Sequence, residues 1–137
     1  MSMGYSANYA DVIEEKEFEK FPKVWEALQT LKNELKKHNI PYDRFAQYIK
    51  YSESFITDDK EVEKQINVLY ETVRREFMIY TNVSVNIDYH NSAEYGDKYD
   101  DVDGVFWWVS GIYMLTKEGA ALTRKASINR CTWVTFG

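Results

Sequence analysis

The chain has 137 residues, 45% of them apolar and 28% charged, with only 2 Pro and 6 Gly. That length suits one hydrophobic core, a single domain over 1–137, and the composition excludes a disordered or fibrous chain. A net charge of −5 argues against direct nucleic-acid binding and against anionic membrane surfaces, since both need Lys and Arg.

No apolar run reaches the ~18 residues a membrane helix requires. Met1-Ser2-Met3-Gly4-Tyr5 lacks the basic and apolar regions of a signal peptide, so a cytoplasmic location is expected. Cys131 is the one cysteine, which leaves no internal disulfide and no zinc cluster.

In chain order, residues 4–13 partly alternate, with Tyr5, Ala7 and Tyr9 on one side, and predict a strand or extended arm. The charged stretch 14–20 can begin a helix. Residues 22–38 predict a helix: Pro22 suits the first turn, and Val24, Leu28, Leu31 and Leu35 form a stripe. Asn39 can take a left-handed cap, and Pro41 follows. Residues 41–51, with Tyr42, Phe45, Tyr48 and Ile49, predict a shorter helix. Asp58 with Glu61 resembles a capping box for a long helix over 59–80. Its stripe is Val62, Ile66, Leu69, Val73, Phe77 and Tyr80, with Glu71 four residues before Arg75.

The period then changes to two. Val83, Val85, Ile87 and Tyr89 alternate with Ser84, Asn86, Asp88 and His90, which predicts a half-buried strand with one polar face. Residues 91–103 form a polar loop. Residues 105–115 are apolar on both faces and predict a central strand. A short helix through about 126 and a strand over 130–136 complete the order. The pattern predicts an α+β fold: an antiparallel sheet of about four strands with three main helices packed on one face. Strands 83–90 and 105–115 should pair across the loop.

The charge is local. Residues 88–103 hold six acids (Asp88, Glu94, Asp97, Asp100, Asp101, Asp103) against Lys98, and elsewhere acids and bases cancel. The acidic run leads directly into Phe106-Trp107-Trp108, whose adjacent indoles must point to opposite sides of a sheet. If helices cover one face, the other displays an aromatic. Carboxylates beside exposed rings suit a basic protein surface: charge speeds the encounter and rings supply affinity. The partner-binding residues are then Tyr95, Asp97, Tyr99, Asp100, Asp101, Asp103, Trp107 and Trp108. The competing account puts both indoles in the core and leaves the acids to solvate the loop.

Metal and catalytic chemistry find little footing. Tyr99–Gly104 follows a calcium loop in part, but Tyr99 and Ser110 stand where acidic donors belong. His90 with Asp88 and Asp97 is a poor zinc set. Nucleophile-elbow, zinc-protease and phosphate-loop motifs are absent, so no catalytic residue, metal or cofactor is assigned. The alternative is a small-ligand-binding protein or enzyme using a Tyr/Trp-lined pocket near His90. A third possibility is a homodimer through the aromatic sheet face.

Tyr99-Asp100-Asp101-Val102-Asp103-Gly104-Val105-Phe106-Trp107 and Tyr113-Met114-Leu115-Thr116, with the opening Met3-Gly4-Tyr5-Ser6-Ala7-Asn8-Tyr9, resemble small uncharacterised proteins of bacteriophages and prophages. The resemblance covers roughly a third of the chain and brings no established activity. It implies a setting in which compact acidic proteins bind and disable host nucleic-acid-binding or defence proteins.

Overall fold

The computed structural model describes residues 5–91, 102–109, 117 and 125–136. The elements run β1 (Tyr5–Ile13), a 3₁₀ segment (Glu15–Lys20), α1 (Pro22–Lys37), α2 (Tyr42–Lys50), α3 (Lys60–Thr81), β2 (Val85–His90), β3 (Gly104–Val109) and β4 (Ile128–Phe136). The four strands form one antiparallel sheet in the order β2-β3-β1-β4. The fold is therefore α+β, with the three helices on one sheet face. The short helix expected before β4 falls outside the described residues, except for Lys117 and Lys125, both helical.

The first strand is an inner one rather than an arm. It pairs with β4 from Tyr5↔Phe136 to Ile13↔Ile128, and with β3 at Asp11↔Val109, Val12↔Trp108 and Ile13↔Trp107. The pairing of β2 with β3 runs from Val85↔Val109 to His90↔Gly104, so residues 91–103 bridge a hairpin as expected.

Alternation then sorts the side chains onto two faces. Ile13, Val85, Ile87, Trp107 and Val109 join the helices in the main core. Val12, Val102 and Phe106 form a smaller cluster on the other face, packed against Ala10, Trp108, Cys131 and Trp133.

Residues 15–20 adopt a 3₁₀ helix because Phe18 and Phe21 lie three apart and both enter the core. Three residues per turn place such a pair on one side. Their rings clamp Phe77 of α3, at 5.5 and 5.8 Å between centroids. Each fully buried ring contributes about 1.5–3 kcal/mol.

α1 buries the expected stripe and ends at Asn39, with φ 58°. α3 starts one residue later than expected. Asp59, not Asp58, is its cap, accepting from the N–H groups of Glu61 at 3.1 Å and Val62 at 3.3 Å. Its buried face is Ile66, Tyr70, Val73, Phe77 and Thr81, while Tyr80 is exposed. Tyr70 turns inward because its hydroxyl accepts the Ile87 N–H at 3.1 Å. Arg74 rather than Arg75 pairs with Glu71, since Arg74 Nε also reaches the Val85 carbonyl at 3.0 Å.

Among the described residues, no helix is long and apolar enough to cross a membrane.

Candidate functional site on the second sheet face

Two polar arrangements matter, one inside the core and one on the face opposite the helices. The first centres on Glu15. Its Oε1 accepts the Trp107 indole N–H at 2.9 Å and the Tyr42 hydroxyl; its Oε2 holds the Lys32 ammonium at 2.6 Å. Trp107 Nε1 also reaches the Tyr42 oxygen at 3.1 Å, and the Lys32 ammonium lies 4.7 Å above the Tyr42 ring. Burial, reinforced by the Glu15 charge, holds the Tyr42 hydroxyl far above the usual phenol range, so it stays protonated and donates. Every group here has a partner, as a buried polar network requires. This cluster ties the 3₁₀ segment, α1 and α2 to the central strands.

Trp107 is therefore a core residue. It is 0% exposed and packs against Phe18 and Tyr70. Its place in the partner-binding set is corrected: the strand's alternation turns its indole under the helices. Trp108, its neighbour, points the other way and is half-buried on the open face.

That open face brings together residues from all four strands. Asp88 of β2, Trp108 of β3, Ala10 of β1 and Trp133 of β4 line a recess of about 270 Å³, with Tyr9 at its rim. The small side chain of Ala10, opposite Cys131, leaves the space. Trp133 packs on Phe106 at 5.7 Å and on the His90 ring at 6.1 Å. This correction follows: the "polar" side of β2 is not simply solvated, because His90 is only 1% exposed. Trp133 and Phe106 cover it.

Asp88 is the charged group of the recess. Its Oδ1 accepts the Tyr89 N–H at 2.8 Å, and its Oδ2 has no hydrogen-bond partner among the described residues. Lys50, whose charge acts on Asp88, gives its ammonium to the Tyr89 carbonyl at 2.5 Å. Burial holds the Asp88 carboxyl above the ordinary carboxylate range, against the opposing effects of the Tyr89 N–H and the charges of Lys50 and His90.

On the helix side of the same strands, Arg130 forks onto its cross-strand partner, buried Asp11, at 3.1 and 3.4 Å while its guanidinium lies 4.8 Å over the exposed Tyr9 ring. A recess of about 310 Å³ lies along β1 and β4 between Asn8 and Trp133, and two of about 490 and 520 Å³ lie along helix surfaces. The two helix recesses are grooves between side chains, and Lys32 and Tyr42 in one of them are already engaged with Glu15.

Of the expected site, Tyr95, Asp97, Tyr99, Asp100 and Asp101 lie outside the described residues. Asp103 is exposed, and its neighbour Val102 is buried against Val12 and Phe106, which fixes the end of the acidic segment beside the open face. Among the described residues no group of three or more His, Cys, Asp or Glu is placed to hold a metal ion. The sequence reading missed Trp133, Ala10 and the position of Asp88. The signal was the shared register of four strands, which requires knowing the strand order. Comparison with protein-family models, curated proteins and solved structures finds no match to this chain.

Proposed function

We propose that this chain acts by binding a basic protein partner, stoichiometrically and without catalysis, through the sheet face opposite the helices. The observation that carries this reading is Asp88: a half-buried carboxylate, one oxygen of which has no partner among the described residues, in a recess walled by Trp108 and Trp133. A half-buried carboxylate is poorly solvated, and a cation docking from solvent would be favoured beside it. The local charge of residues 88–103 supports the same sign of partner. Blocking a nucleic-acid-binding or defence protein is the specific form of this reading, because such partners expose Lys and Arg.

The recess volume also weighs against the small-ligand alternative. Pockets for drug-sized molecules span about 300–1,000 Å³. A space of about 270 Å³ suits one side chain better than a whole metabolite.

The test is affinity capture from cells of the source organism, with the native protein and with Asp88→Asn and Trp108→Ala as bait. A basic protein should be retained at about 0.15 M salt, released toward about 1 M, and lost with both variants. Equal retention by all three baits would refute the reading.

A further inference from the structure

We infer that the recess between Trp108 and Trp133 is a receptor for a single arginine side chain presented by the partner. This rests on the reading above and narrows it from a basic surface to one guanidinium.

The chemistry of the walls selects the ligand. A guanidinium is flat and weakly hydrated, so it can lie on an indole face; an ammonium is compact and holds its water tightly. Asp88 offers one free oxygen and one that already accepts the Tyr89 N–H but keeps a second lone pair. A fork of two N–H donors matches that carboxylate, whereas a single ammonium does not. The chain builds the same arrangement for itself on the other face of the sheet, where Arg130 forks onto Asp11 and covers Tyr9. That internal arginine is committed to Asp11, and Lys50 is committed to a carbonyl. Among the described residues no cation is paired with Asp88, which is open to one from outside.

Space agrees with charge. Ala10 forms part of the floor, and the recess has room for a planar group entering from the open face. Phe106 and His90, packed on Trp133, hold that indole in place before any ligand arrives, which lowers the ordering cost of binding.

The experiment uses the protein's 4 tryptophans as reporters. The full chain is titrated with acetyl-Gly-Arg-Gly-amide, and the indole N–H signals are followed by ¹H–¹⁵N NMR. The Lys and citrulline versions of the peptide serve as comparisons. Signals of Trp108 and Trp133 should shift, while that of buried Trp107 should not. One side chain's worth of contact predicts a Kd on the order of millimolar. Lys should bind at least about fivefold more weakly, citrulline still more weakly, and Asp88→Asn should lose about tenfold. Ala10→Phe, which fills the recess without removing a wall, should abolish the shifts while the Trp107 signal certifies the fold.

Equal affinity for Arg and Lys would overturn the arginine assignment and leave the basic-partner reading standing. Citrulline binding as well as Arg, or no shift at saturating Arg peptide, would overturn the assignment and remove the charge rationale of that reading with it.

Discussion

The indole N–H of Trp107 donates to the carboxylate of Glu15 at 2.9 Å, across 92 positions of the chain. The same carboxylate serves Tyr42 and Lys32, so one acid joins four segments of the fold. Adjacent Trp108 makes no such contact and faces the open recess. Two neighbouring tryptophans thus lie on opposite sides of the sheet, one sealed in the core and one lining the open recess.

That division sets the first prediction. Trp107→Phe removes a buried donor from Glu15 and should destabilise the domain by about 1–3 kcal/mol in urea unfolding, and Trp107→Ala by about 3–5 kcal/mol. Trp108→Ala should cost less than either and should remove binding to the Arg peptide. A Trp108 variant less stable than the Trp107→Ala variant would contradict the assignment.

Asp88→Asn should stabilise the protein at neutral pH. Burial raises the folded-state pKa of Asp88 above that of the unfolded chain. The folded state therefore binds the proton more readily, so stability falls as pH rises from the ordinary Asp range through the folded pKa, and is level above it. The Asn variant carries no such loss. Its thermal midpoint should exceed that of the native chain at pH 7, and the difference should shrink toward zero as pH drops below the ordinary Asp range. A gain in stability together with a loss of binding would mark a group kept for function.

The cap of α3 offers a sharper check of local structure. Asp59→Ala should cost about 0.5–2 kcal/mol, because two N–H donors at the helix start lose their acceptor. Asp58→Ala should stay within about 0.5 kcal/mol of the native chain. Denaturant midpoints of the pair decide which aspartate caps.

Asp100, Asp101 and Asp103 replaced together by Asn should leave the unfolding midpoint nearly unchanged. Association with a basic partner should slow, and the difference should fade as salt approaches about 1 M, where charges are screened within about 3 Å. Unfolding of the triple variant would make the segment structural and refute its role in encounter.

Much of the fold was legible because it depends on local periodicity. The stripe of Val24, Leu28, Leu31 and Leu35, the left-handed Asn39 and the alternation of 83–90 each follow from the geometry of one element. Local errors arose where tertiary contacts chose between neighbours. Tyr70 was drawn inward by the Ile87 N–H, and Arg74 displaced Arg75 as partner of Glu71 because the Val85 carbonyl was in reach.

The site was legible only in part. The sequence by itself determined an α+β domain, a local excess of acid ahead of a tryptophan pair, and the opposition of that pair across a sheet. Which indole is sealed in, and that Asp88, Ala10 and Trp133 meet Trp108, was decided by the strand order β2-β3-β1-β4. Side-chain alternation is a property of each strand alone, whereas proximity across a sheet is a property of which strands pair, and pairing joins residues far apart in the chain.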